Sequence, residues 1–282
     1  MIKQQNGIPL EKPDMKKMIP MAAVLLACGT LRAQTPDQIV AQYYPQYADK
    51  AHCRFNRKAY NQETGVYHCM KQAQTKTRHT AQGKLLYLLF TGRTLYADSR
   101  QPSRNHPDKG MAGLFVFKKE SGGWRLLAAK PEIYTGTFGD APQHWRFEQF
   151  GKDKWGFVAE ESETAQGYRS GSLVLVYHGG GSRISEQRIG NLSDTEEWAA
   201  HCETEENKPA AGFEKCMRGA AYAHGTMRVQ KHGKAAAGRY PLLITVSSRA
   251  GLKKNIKTVR YVARYNAAKG RYLLPKAYPF GQ

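Results

Sequence analysis

The chain has 282 residues, with 43 Lys+Arg against 23 Asp+Glu and a formal net charge of +20. A hydrophobic fraction of 41% with 11% aromatics can offset the ordering entropy, which excludes wholesale disorder, and the length suffices for one large domain or two small ones. The one long apolar stretch lies near the N-terminus and is too short to span a bilayer comfortably.

Residues 1–14 (MIKQQNGIPLEKPD) are polar and hold two prolines. From Met15 the order becomes Lys16-Lys17, the apolar run Met18 to Ala27, then Cys28 to Ala33. That charged, apolar and small-residue succession is the layout of a bacterial secretory signal peptide, with Met15 as the expected start. Two processing routes fit. Leu25-Leu26-Ala27-Cys28 resembles the lipobox of bacterial lipoproteins, which would make Cys28 a lipidated N-terminus. Ordinary cleavage after Ala33 is the other route. The expectation is a periplasmic or secreted protein, or alternatively an outer-membrane lipoprotein held to the membrane through that lipid alone. Loss of residues 1–33 removes five basic and two acidic residues and leaves a charge of +17.

After the signal, Thr35-Pro36-Asp37-Gln38 reads as a capped helix start. Ile39, Val40, Tyr43, Tyr44 and Tyr47 fall on one side, so a helix is expected from Thr35 to about Ala51, interrupted near Pro45. Four cysteines remain beyond Cys28, an even number suited to an oxidising compartment. Their surroundings repeat. Ala51-His52-Cys53 recurs as Ala200-His201-Cys202, and Cys69-Met70-Lys71 as Cys216-Met217-Arg218. Fainter echoes follow: Leu88-Leu89 and Thr91 against Leu242-Leu243 and Thr245, Val116 and Lys118 against Val262 and Arg264, and Trp124 to Leu127 against Arg271 to Leu274. Recurrence at a near-fixed offset points to internal duplication. The repeat favours disulfides Cys53 to Cys69 and Cys202 to Cys216, each worth on the order of 3 kcal/mol for loops of about 15 residues. Histidines beside the cysteines (His52, His68, His201) lack the spacing by which zinc ligands converge, so neither metal nor cofactor is expected. Without Cys-x-x-Cys, thioredoxin-like redox chemistry is not expected either.

The remainder reads as strand. Lys84 to Thr91 (KLLYLLFT), Gly113 to Lys118, Trp124 to Ala129 and Leu173 to Tyr177 (LVLVY) are short apolar runs of the kind buried on both faces. Trp145 to Phe150 and Lys154 to Glu160 add two more. Turn signals stand at Glu120 to Gly123, Gly151 to Lys154, His178 to Ser182 and Asn266 to Gly270. Residues 92–112 read as a long surface loop, and Asp194 or Ser193 as the cap of a second helix. The expected fold is mainly β: an antiparallel meander closed as a sandwich, barrel or partial propeller, internally duplicated, with one or two short helices. A first repeat with its helix would span 34–135, a connecting β segment 136–199, and a second, strongly basic repeat 200–282.

The charge is uneven. Residues 50–110 carry +9, 150–206 carry −6 and 207–282 carry +15. In the last region, alternation along Lys257 to Tyr265 sets Val259, Tyr261, Ala263 and Tyr265 on one face and Thr258, Arg260, Val262 and Arg264 on the other. One face packs and the other is cationic. With Lys253, Lys254, Lys257, Lys269 and Arg271 nearby, this is a candidate surface for an anionic envelope component (lipopolysaccharide, a phospholipid headgroup, an acidic glycan) or an acidic protein. The tyrosines are expected in the core, which argues against nucleic acid. Acids at Glu160, Glu161, Glu163, Glu196, Glu197, Glu203, Glu205 and Glu206 could dock on that surface or on a second molecule.

Catalytic signals are weak. His178-Gly179-Gly180-Gly181 resembles an esterase oxyanion-hole motif, yet no Gly-x-Ser-x-Gly elbow accompanies it, so a glycine hairpin is the expected reading. Glu160, Glu161 and Glu163 could pair for glycan hydrolysis, but a solvated loop accounts for them. The expected role is non-catalytic binding or assembly in the envelope or outside the cell, with an envelope hydrolase as the alternative.

Overall fold

The computed structural model describes residues 34–48, 51–56, 65–96, 101–195, 220–250 and 255–280. The first element is the helix α1 (Pro36–Tyr43), two turns long. Thr35 Oγ1 accepts from the Gln38 amide at 3.2 Å while Gln38 Oε1 accepts from the Thr35 amide at 2.8 Å, a reciprocal capping box, with Pro36 in the first turn where its missing N–H costs nothing. The helix stops well short of Ala51. Pro45 disfavours helical backbone at the residue before it, and Tyr44 accordingly leaves the helical region at φ −124° and ψ 73°. Gln46–Ala48 then forms the short strand β1, which places Tyr47 in solvent instead of on an apolar helix face.

Two antiparallel sheets follow. The first joins β1 to β2 (Cys53–Phe55), β3 (Val66–Thr80), β4 (Gly83–Tyr96), β5 (Gly110–Glu120) and β6 (Gly123–Thr135) in sequence order. The second holds β7 (Arg146–Gly151), β8 (Lys154–Ala165), β9 (Tyr168–Gly180), β10 (Arg183–Asp194), β11 (Ala221–Val229), β12 (Leu242–Ala250), β13 (Lys257–Asn266) and β14 (Arg271–Leu273), also in order. The protein is therefore a β-rich antiparallel meander with one short helix among the described residues. In the second sheet, β10 and β11 pair only over Leu192–Asp194 and Tyr222–His224. That narrow seam divides it into two four-stranded meanders, β7–β10 and β11–β14.

The core clusters show how the three meanders stack. Leu85, Tyr87, Leu89, Leu114 and Val116 of β4 and β5 pack on Phe157, Ala159, Val174 and Val176. The opposite face of the same middle strands, through Val158, Leu173, Leu175 and Tyr177, packs on Met227, Leu242, Ile244, Val246 and Ala263. The run Leu173 to Tyr177 is thus buried on both faces, as its unbroken apolar character predicts. The outer face of the first meander (Leu86, Leu88, Phe90, Phe115, Phe117) is covered by α1 through Ile39, Val40 and Tyr44, and the Tyr44 hydroxyl donates to Pro131 O at 2.6 Å.

Several expectations need adjustment. The surface loop is shorter than 92–112, because β4 continues to Tyr96 and β5 starts at Gly110. Its second half folds back, with the Thr94 hydroxyl donating to Lys109 O at 2.7 Å and the buried Ser103 amide to Thr94 O at 2.9 Å. Ser193 and Asp194 both lie in β10, and the Thr195 amide continues the pairing by donating to Ala221 O at 2.9 Å, so neither residue caps a helix; the expected helix falls in residues outside the described set. The sequence echoes fall on matching strands, β4 with β12, β5 with β13 and β6 with β14.

Candidate functional site

Cys53 and Cys69 form a disulfide with a Cα–Cα distance of 5.4 Å. It ties β2 to β3 beside Tyr67 and Leu95. Cys28, Cys202, Cys216, Lys253 and Lys254 lie outside the described residues. The described residues contain no cluster of His, Cys, Asp and Glu able to hold a metal ion and no helix long and apolar enough to cross a membrane.

The basic alternation of β13 is present in space. Ala263 is buried and Tyr261 and Tyr265 pack on the core, whereas Thr258, Arg260 and Arg264 are exposed. Register extends this face across the meander. Arg260 lies opposite Thr245, which lies opposite Thr226; Val262 lies opposite Leu243, which lies opposite Arg228. Arg264 lies opposite Leu273 and Asn266 opposite Arg271, so Arg271 shares the face. At about 3.3 Å per residue and about 4.8 Å per strand, Arg260 and Arg264 stand about 13 Å apart along β13, and Arg228 about 10 Å across from it. Lys269 sits in the adjoining turn and donates its amide to Asn266 Oδ1 at 2.8 Å. Lys257 is exposed at the far end of β13 with the opposite parity. Arg228 belongs to the surface as fully as the residues of β13, although only cross-strand register reveals it.

Residues 220–282 contain no Asp or Glu, so the meander cannot neutralise itself. The nearby acids are engaged elsewhere. Glu161 accepts from Arg188 Nε at 2.8 Å, the Thr135 hydroxyl at 2.7 Å and the Gly136 amide at 2.8 Å, which ties the end of β6 to the middle meander. Glu163 meets Lys109 at 3.3 Å, and Glu160 reaches the His224 ring at 3.5 Å. Of the acids expected to dock on the basic region, Glu160 alone touches that meander among the described residues, and it does so at the seam.

The same contacts bear on hydrolysis. Glu160 points to the opposite sheet face from Glu161 and Glu163, and all three belong to β8 rather than to a solvated loop. Glu161 spends its lone pairs as a strut. A cleft of about 470 Å³ adjoins it, lined by Ser162, Ser170, Ser172, Ser193, Lys109 and Phe280. No histidine lines this cleft, and the Lys109 that does is paired with Glu163 at 3.3 Å. The His178 motif is a hairpin: Gly180 and Gly181 adopt positive φ between β9 and β10, and the buried His178 ring bonds Gly181 O at 2.8 Å. Burial holds His178 in its neutral form by lowering its pKa, with Lys154 and Arg239 adding to the effect and the Gly181 bond opposing it.

A comparison with protein-family models, curated proteins and solved structures finds no match for this chain.

Proposed function

We propose that the protein acts without catalysis, as an exported binding or assembly component of the cell envelope whose third meander lays its outer face on an anionic surface. One observation carries this reading. Arg228, Arg260, Arg264 and Arg271 share one exposed sheet face in a stretch of chain devoid of acids, and none of the four has a carboxylate partner among the described residues. Thr226, Thr245 and Thr258 between them supply hydroxyls. Leu243, Val262 and Leu273, each half-buried, give the face a modest apolar row. Guanidinium groups suit this role because each can hold a phosphate or carboxylate through two parallel N–H bonds. The N-terminal secretory layout supplies the route to such a partner.

Co-sedimentation with vesicles of phosphatidylglycerol in phosphatidylcholine tests the proposal. Binding should exceed that to phosphatidylcholine alone and should fall steeply as salt rises through the range in which the Debye length drops below about 10 Å. Arg260→Glu with Arg264→Glu should abolish it. Equal binding to both vesicle types, or binding indifferent to salt, contradicts the proposal.

A further inference from the structure

Where the middle and third meanders meet, a guanidinium is buried without a counter-ion among the described residues. Arg239 is 3% exposed. It is carried by the turn Ala236–Arg239, in which Ala237 and Gly238 adopt positive φ, and it is anchored by the Tyr240 amide donating to Phe150 O at 2.7 Å. The guanidinium lies 4.5 Å from the ring centroids of both Tyr177 and Tyr265. Its Nη2 makes one long bond, 3.5 Å to Gly179 O, and its Nη1 has no partner. Near it lie the hydroxyls of Tyr177, Tyr272 and Ser185, which are 0%, 1% and 8% exposed; those of Tyr177 and Ser185 face each other across the strand pair, and that of Tyr272 has no partner among the described residues. The rings of Tyr177 and Tyr272 are 6.2 Å apart, those of Tyr265 and Tyr272 5.4 Å, and Ser185 is the cross-strand neighbour of Tyr177. One fixed positive charge and three hydroxyl-bearing side chains thus share one buried part of the core.

The hydroxyls cannot neutralise the charge themselves. Burial pushes the Tyr177 hydroxyl up to about 12 against the downward pull of Arg239, and burial raises Tyr272 as well. Both remain neutral donors at physiological pH. Among the described residues, the groups acting on these two tyrosines are Arg239, Arg183, Ser185 through a hydrogen bond to Tyr177, each other and Tyr265; no carboxylate is among them. A second cation adjoins, since Lys154 Nζ donates to the same Gly179 carbonyl at 3.3 Å. Its pKa is lowered by burial and by Arg239, with Asp153 opposing. Arg183 and Arg271 are exposed at the same end of the layer. An arginine cannot shed its proton as a lysine can, and an unpaired buried charge is strongly unfavourable.

We infer that Arg239, Tyr177, Tyr272 and Ser185 form an internal binding site for a small tetrahedral oxyanion of the phosphate type. Such an ion brings acceptor lone pairs for Arg239 Nη1, for the Tyr272 hydroxyl and for the one O–H that the Tyr177–Ser185 pair leaves free, and a charge that balances Arg239 and the neighbouring Lys154. The site is separate from the exposed arginine face, since its four side chains are buried on the inner side of the same meander.

Isothermal titration of the full chain with inorganic phosphate, at ionic strength fixed with sodium chloride, tests the inference. One saturable site is expected, with a matching rise in the thermal midpoint. Tyr272→Phe, which deletes one hydroxyl and keeps the ring, should weaken binding on the order of tenfold, and Arg239→Gln should remove it. Should Arg239→Gln fail to fold, Tyr272→Phe and Ser185→Ala decide the matter. Glycerol 3-phosphate separates two sources of the ion: binding of inorganic phosphate alone means a free ion, and equal binding of both means a headgroup entering the site. Arg260→Glu with Arg264→Glu should leave phosphate affinity unchanged even while abolishing vesicle binding, so each site can fail without the other. No saturable binding of either ligand, or affinity unaltered in both Tyr272→Phe and Ser185→Ala, overturns the inference.

Discussion

The first and third meanders present their outer faces to different surroundings. On the first, Leu86, Leu88, Phe90, Phe115 and Phe117 are roofed by α1. On the third, Thr245, Arg228, Arg260 and Arg264 face outward with no described element above them. The sequence echoes place similar residues in different surroundings. Leu88, under the helix, aligns with Leu242, which faces the middle meander. Val116, which faces the middle meander, aligns with the outward Val262. Both segments therefore map the helix-covered face of one meander onto the inner face of the other, the relation expected when layers repeat in one direction through a stack. The outward basic face occupies the position at which a further layer would pack. Polar and cationic side chains there let the stack end in water, and under the proposed function they are the groups that would meet an anionic partner. The third echo, Trp124 to Leu127 against Arg271 to Leu274, falls out of phase by one residue, and β6 does carry register shifts against β5.

Substitutions at the two ends should separate them sharply. Phe115→Ala removes a fully buried ring between α1 and β5 and is expected to lower stability by about 3–5 kcal/mol, whereas Arg260→Ala should change it by less than about 0.5 kcal/mol; chemical denaturation measures both. Replacing Cys53 and Cys69 by serine opens the staple of the first meander and should cost about 3 kcal/mol, seen as a drop in thermal midpoint that reducing agent reproduces in the parent protein. Thr35→Ala removes the cap of α1 and should cost about 1 kcal/mol. A larger loss would mean that the roof as a whole detaches when its first turn frays.

Acid should weaken the contacts flanking the middle meander. His68 and His178 are buried, and burial lowers the pKa of each, against the opposing pull of a backbone carbonyl bond and, for His68, of Glu132. The folded state holds both neutral, while the unfolded chain takes up protons below its ordinary value near 6.5. Stability from these residues is therefore complete above about pH 6.5 and declines as pH falls below it. His68→Gln should flatten that decline in a denaturation series from pH 7 to pH 5, and an unchanged slope would assign the acid loss elsewhere.

The β meander is legible from short apolar runs bounded by turn residues, since burial on both faces leaves no polar interruption in Leu85 to Phe90 or Leu173 to Tyr177. The cationic face of β13 is legible for the opposite reason, an alternation that sets Arg260 and Arg264 on one face and Tyr261, Ala263 and Tyr265 on the other. Arg228 escapes notice because it joins the face only through register two strands away. Arg239 escapes because a charge count treats every arginine as solvated, and nothing in Gly238-Arg239-Tyr240 reveals that two tyrosine rings will enclose it. Glu161 reads as part of a solvated acidic run for the same reason, yet folding makes it a strut between meanders. The helix end is overextended in the reading because an apolar tyrosine series continues past Pro45, where backbone sterics outweigh side-chain pattern.

The central claim is that the location of charge, not its total, makes the third meander adhesive. Two variants of equal net charge test it most directly: Arg228→Glu, Arg260→Glu and Arg264→Glu together on the third meander, and Lys71→Glu, Lys84→Glu and Lys119→Glu together on the exposed positions of the first. Vesicle binding at fixed salt should be lost in the first variant and largely kept in the second. An equal loss in both would contradict the account, for it would make the protein a diffuse polycation.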